Sequence, residues 1–136
     1  MPDVEIGGSD DEKGYGGLCA RLKLPNDLTF TSSTGNIIPQ TFQVKAGPWM
    51  DFSASFGGDE ETTGLAILCH PKTPNYPAPW ILRSKTSMQN IVFPGRERIK
   101  IPMDEPLVLY YRLIIHDGNA NKIDLRKLQS EYEGVK

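Results

Sequence analysis

The stretch Gly64 to Arg83, GLAILCHPKTPNYPAPWILR, restricts this chain more than any other. Leu65 to Cys69 is almost wholly apolar and too short for a helix, so it reads as a central strand covered on both faces. Prolines 71, 74, 77 and 79 follow at once. Proline has no backbone N–H to donate, so neither a helix nor a sheet ladder runs through this segment. The result is a stiffened loop, with a strand resuming at Trp80 to Leu82. Binding and catalytic groups concentrate on loops held by rigid scaffolds. His70, Asn75, Tyr76, Trp80 and Arg83 are therefore candidates for a site.

The rest of the chain repeats the pattern of short apolar runs between turn residues. Leu18 to Leu24 alternates, with Leu18, Ala20, Leu22 and Leu24 on one face. Leu28 to Thr31 and Ile37 to Lys45 read as further strands, Pro39 marking an edge or a bulge. Trp49 to Phe56 sets Met50, Phe52, Ala54 and Phe56 against Trp49, Asp51, Ser53 and Ser55, which predicts a half-buried strand with a polar outer face. GGDEETTG makes an acidic hairpin loop. Ser84 to Asn90 reads as a polar connection, and Ile91 to Phe93 as a short apolar piece. Arg96 to Ile101 alternates charge with isoleucine. Leu107 to His116 is the longest strand signal. Only the C-terminal segment changes period: Ile123, Leu128 and Tyr132 share a helix face, with Asn119 or Asn121 as the start cap and Gly134 at the stop. Many short strands and one terminal helix predict an all-β fold, an antiparallel β-sandwich with a single C-terminal α-helix.

At 136 residues the chain is one domain, 1–136, with enough length for a hydrophobic core. Its 13 glycines and 11 prolines punctuate apolar runs rather than forming low-complexity tracts. A net charge of −2 gives no overall attraction for nucleic acid, so no nucleic-acid partner is expected. No apolar run is long enough to span a membrane as a helix, and no membrane partner is expected. The N-terminal MPDVEIGGSDDEK lacks a signal-peptide pattern, so the compartment is left open, with the cytoplasm as the default expectation and the periplasm if the chain is part of an exported parent protein. Cys19 and Cys69 are too few for a disulfide framework, and two buried free thiols are expected. Asp3 to Gly17 reads as an acidic, glycine-rich surface loop. It is either an exposed turn or a wall that presents Asp10, Asp11, Lys13 and Tyr15 to a ligand.

His70 and His116 each end an apolar strand. Each reads either as a satisfied structural group or as a catalytic acid or base. Neighbouring strands would bring the two rings to one rim. No HxH or HxxxH spacing is present, so no metal and no other cofactor is expected. There is no GxSxG nucleophile motif. Arg21, Arg83, Arg96, Arg98 and Arg112 lie in or beside strands. The arginine fork recognises carboxylates and phosphates, which makes Arg21, Arg83, Arg96 and Arg98 ligand-binding candidates. Trp49, Tyr76 and Trp80 can serve as stacking platforms for apolar sugar faces, or as core.

The succession GGSDDEKGYGG, AGPWMDFSASF, GLAILCHPKTPNYPAPWILR and YYRLIIHDG resembles a bacterial domain family of unknown function whose members often carry a methane-oxygenase-like label. HPxxPxxPxPW is its most specific element. The label fits poorly with a chain holding two histidines. The resemblance implies a relation to galactose-mutarotase-like supersandwiches, with this chain as the C-terminal half of a longer domain. It implies a sugar or glycan ligand and a place beside sugar-metabolising enzymes. The alternatives are a small epimerase- or lyase-like enzyme with a loop histidine as acid or base, and a structural module that forms homo-oligomers through exposed sheet edges. The family pattern sets an acid before the loop histidine and a second histidine later. Cys69 and Tyr76 stand there instead, which weighs against catalysis and for binding.

Overall fold

A computed structural model describes residues 3–136 apart from 9, 12, 13, 59, 86 and 87. In chain order its strands are β1 (Val4–Ile6), β2 (Gly17–Arg21), β3 (Thr29–Ser32), β4 (Gly35–Asn36), β5 (Trp49–Ala54), β6 (Thr63–Cys69), β7 (Trp80–Ile81), β8 (Met88–Val92), β9 (Ile99–Ile101) and β10 (Tyr111–Asp117). A 3-10 turn at Ala120–Lys122 and one helix, α1 (Leu125–Glu133), complete the chain. All strand pairs are antiparallel. The larger sheet runs β10-β6-β5-β3-β4, a second runs β2-β8-β7, and β1 pairs with β9.

Period-two alternation builds the sandwich directly. Met50 and Phe52 on β5, Ile67 and Cys69 on β6, and Phe30 on β3 point towards the smaller sheet. There they meet Trp80, Leu82 and Ile91, with Leu18 and Ala20 packed at the margin. Phe30 and Phe52 stand edge to face, their ring centroids 5.7 Å apart. Trp80 is fully buried and its Nε1–H donates to the Gly47 carbonyl at 2.9 Å.

The other face of the large sheet departs from the expectation of a polar, solvated surface. Every residue of β5 is buried. Helix α1 lies over this face, and Leu125 and Tyr132 close on Trp49, Ala66 and Leu68. An alternating strand pattern records side-chain chemistry, whereas burial depends on what the chain later lays on top. Asp124 is the helix cap, its carboxylate accepting from Lys127 N–H at 3.1 Å, while Asn119 caps the preceding 3-10 turn. The stop at Gly134 is as expected.

Several other expectations shift. β1 lies inside the segment read as a loop, and β8 begins within the presumed connection at Met88. Of Ile37 to Lys45 only Val44 pairs, in an isolated bridge with Trp80. β10 starts at Tyr111, after Leu107 to Tyr110. It is an edge strand, and its inward face is covered at Tyr111 but not beyond: Leu113 is 52% and Ile115 86% exposed. Cys19 is an exposed thiol and Cys69 a buried one. Lys13 lies outside the described residues. No helix among the described residues is long and apolar enough to cross a membrane.

Candidate functional site

The antiparallel register of β6 and β10 separates the two histidines. Tyr111 faces Cys69 and His116 faces Gly64. The two rings therefore lie at opposite ends of the strand pair, about 20 Å apart along it. They share no rim.

Each ring is also occupied. His70 is buried, with Nε2 2.6 Å from the Val135 carbonyl and Nδ1 accepting from Lys72 N–H at 3.1 Å. One nitrogen donates and the other accepts, as in a neutral imidazole. Tyr132 stands edge-on to the ring at 4.9 Å. The cavity beside His70 is about 40 Å³, room for a single water and not for a sugar. His116 Nε2 approaches Asp51 Oδ1 at 2.5 Å, and the other carboxylate oxygen of Asp51 accepts from the Ser53 hydroxyl. Asp51 is completely buried. The order of this chain, serine to aspartate to histidine, puts the carboxylate in the middle. A nucleophilic triad needs the imidazole in the middle, so Ser53 is not activated. Gly64 makes space for the cluster, since a Cβ there would lie 2.5 Å from the His116 ring and 2.7 Å from Ser53 Oγ.

The proline-rich loop is anchored to the helix. Tyr76 donates to Glu133 Oε1 at 2.9 Å, and Gln129 Nε2 donates to the Cys69 carbonyl at 2.8 Å. Burial, and then the Glu133 carboxylate, push the Tyr76 phenol up to about 12. Burial alone pushes the Cys69 thiol up to about 12, so it stays protonated and unreactive at neutral pH. Asn75 is exposed and adopts a left-handed backbone, φ 66°, which asparagine tolerates better than most residues.

A concave site lies one step further along. Val44 and Trp80 exchange two backbone hydrogen bonds of 2.8 Å. Continued in register, that bridge would set Thr41 against Arg83 and Gln40 against Ser84. The bridge is isolated, and the two segments do not pair beyond it. Between residues 39–41 and 82–85 they leave a cleft of about 370 Å³. The Arg83 guanidinium spans the gap. Its Nη1 donates to the Gln40 and Leu82 carbonyls at 2.8 and 3.0 Å. Its Nη2 donates to the Tyr15 hydroxyl at 2.7 Å and the Thr41 carbonyl at 3.2 Å. The guanidinium carbon also sits 5.6 Å from the Tyr15 ring centroid.

Gln89, a residue the sequence did not single out, fixes the backbone of Arg83. Its side chain accepts from Arg83 N–H and donates to Arg83 C=O, both at 2.8 Å, as a neighbouring strand would. The pairing joins residues six apart, and nothing in local periodicity signals it.

Of the expected ligand-binding residues, Arg83 alone lines this cleft. Arg96 packs against Gly14 near Gln43 and pairs with Asp10 at 3.2 Å, on exposed surface. Arg98 lies 4.0 Å from Glu5 beside β1 and β9, and Arg21 is exposed on β2. Arg112 covers the Tyr132 ring at 4.5 Å. Trp49 and Trp80 belong to the two apolar layers. Among the described residues no group of three or more His, Cys, Asp or Glu is placed to hold a metal ion.

These features define an antiparallel β-sandwich domain with a terminal helix and a small cleft beside the shorter sheet. The chain belongs to a family of unknown function, DUF6807, whose model matches residues 1–130. No curated protein and no solved structure matches it.

Trp80 serves as core in this arrangement. Trp80→Ala is expected to lower unfolding stability by about 3–5 kcal/mol in urea titrations. A loss below about 0.5 kcal/mol, the size seen at exposed positions, would contradict that role.

Proposed function

We propose that this domain is a carbohydrate-associated binding module that takes a sugar in the cleft between residues 39–41 and 82–85. The observation that carries the reading is the cleft itself. Its volume of about 370 Å³ falls at the lower end of small-molecule sites, which run from ~300 to ~1,000 Å³. Pro39 offers apolar surface for the C–H face of a pyranose, while Leu82, buried in the core, forms the floor. Gln40, Thr41 and Ser84 offer hydrogen-bonding groups, and Arg83 holds the two walls at a fixed separation. The likeness of the chain's motifs to a family related to galactose-mutarotase-like supersandwiches favours the same ligand class. That likeness is an argument by analogy and carries less than the geometry. Binding is favoured over acid–base chemistry because neither histidine lines the cleft, and the ring nitrogens of both lie within hydrogen-bonding reach of other protein groups.

Titration with mono- and disaccharides, followed by backbone amide NMR, should move resonances of residues 39–41 and 82–85 and leave those around His70 unmoved. An unchanged spectrum at saturating concentrations across the panel would sink the sugar reading.

A second reading, a module that self-associates, is favoured by β10. An edge strand with unpaired backbone groups and exposed Leu113 and Ile115 is a template for antiparallel pairing with a second copy. A two-fold pairing centred on Ile114 would set Leu113 against Ile115 of the other copy. Light scattering should show a concentration-dependent dimer that Ile115→Lys abolishes. A monomer at every concentration would refute this reading.

A further inference from the structure

We propose that the ligand of the cleft is an anionic sugar, one bearing a carboxylate or a phosphate. This inference rests on the carbohydrate reading above and deepens it.

Charge carries the argument. Residues 39–41 and 82–85 include two cations, Arg83 and Lys85, and no acid. A guanidinium keeps its charge at any physiological pH. The four hydrogen bonds of the Arg83 guanidinium all go to neutral acceptors: three backbone carbonyls and the Tyr15 hydroxyl. Among the described residues neither Arg83 nor Lys85 has an ion-pair partner. This contrasts with Arg96 and Arg98, each of which faces a carboxylate on the same molecule. The protein as a whole carries −2, so the cleft is a local positive site on a negative background. A concave site lined by one sign of charge focuses the field on a ligand of the other sign.

The two cations have different tasks. Arg83 is held by carbonyls on both sides, so it sets the width of the cleft and supplies potential. Lys85 is exposed, on a flexible stem that suits a point-charge contact with an anionic group. The Ser84 hydroxyl beside it can donate to the same group, while Pro39 takes the apolar ring face.

Calorimetry on the full chain with glucuronate, glucose 6-phosphate, glucose and inorganic phosphate tests this. One or both anionic sugars should bind about tenfold or more tighter than glucose, and the preference should shrink as salt rises. Comparing the two anionic sugars tells carboxylate from phosphate. Lys85→Glu, an exposed change that should leave the melting temperature unaltered, should remove the preference for the anionic sugars over glucose. Glucose binding as tightly as both anionic sugars would overturn the charge inference and leave the carbohydrate reading standing. Inorganic phosphate matching glucose 6-phosphate, with no sugar contribution, would overturn the carbohydrate reading and leave the preference for anions. No binding in any arm would overturn both.

Discussion

The structure depends on burying β5 on both faces. Met50 and Phe52 point into the sandwich, and Trp49, Asp51 and Ser53 point under the C-terminal layer. Placing a carboxylate at the centre of a sheet is costly unless hydrogen bonds replace the lost water. Asp51 gains both replacements from its own sheet: Ser53 two positions along the strand, and His116 from across β6 on β10. Gly64 stands between them on β6 because any side chain there would collide with both groups. Edge strand, central strand and carboxylate are thus locked in one register, and the helix can close over a face that is flat and satisfied.

The same closure explains the proline-rich loop. It follows β6 at the end of the sheet remote from His116, where His70, Tyr76 and the Cys69 carbonyl dock against α1 and the residues after it. The loop is stiff because it joins the helix layer to the small sheet. Its length carries the chain across the edge of the sandwich to Trp80, whose bridge with Val44 then opens the cleft. The cleft lies where the pairing begun by that isolated bridge is not continued.

The sandwich and the terminal helix were legible in alternation and punctuation, as was β6 as a strand covered on both faces. The cover over Trp49, Asp51 and Ser53 was not, since it comes from residues more than 70 positions later. Asp51 and His116 lie 65 residues apart, with no spacing to link them. Arg83 was visible as a residue type, but its partners are mainly backbone carbonyls of Gln40 and Thr41, which every sequence has and none advertises. The two histidines shared a context, the end of an apolar strand. Antiparallel pairing sends such ends in opposite directions, and the sequence has no mark for that.

The most direct test of this account is a double-mutant cycle on Asp51 and His116, read by urea unfolding. Asp51→Ala should cost about 3 kcal/mol or more, because it strands two buried polar groups. The coupling with His116→Ala should exceed about 1 kcal/mol. A cost under about 0.5 kcal/mol with additive single changes would show that the register does not depend on this carboxylate, and the account would fail.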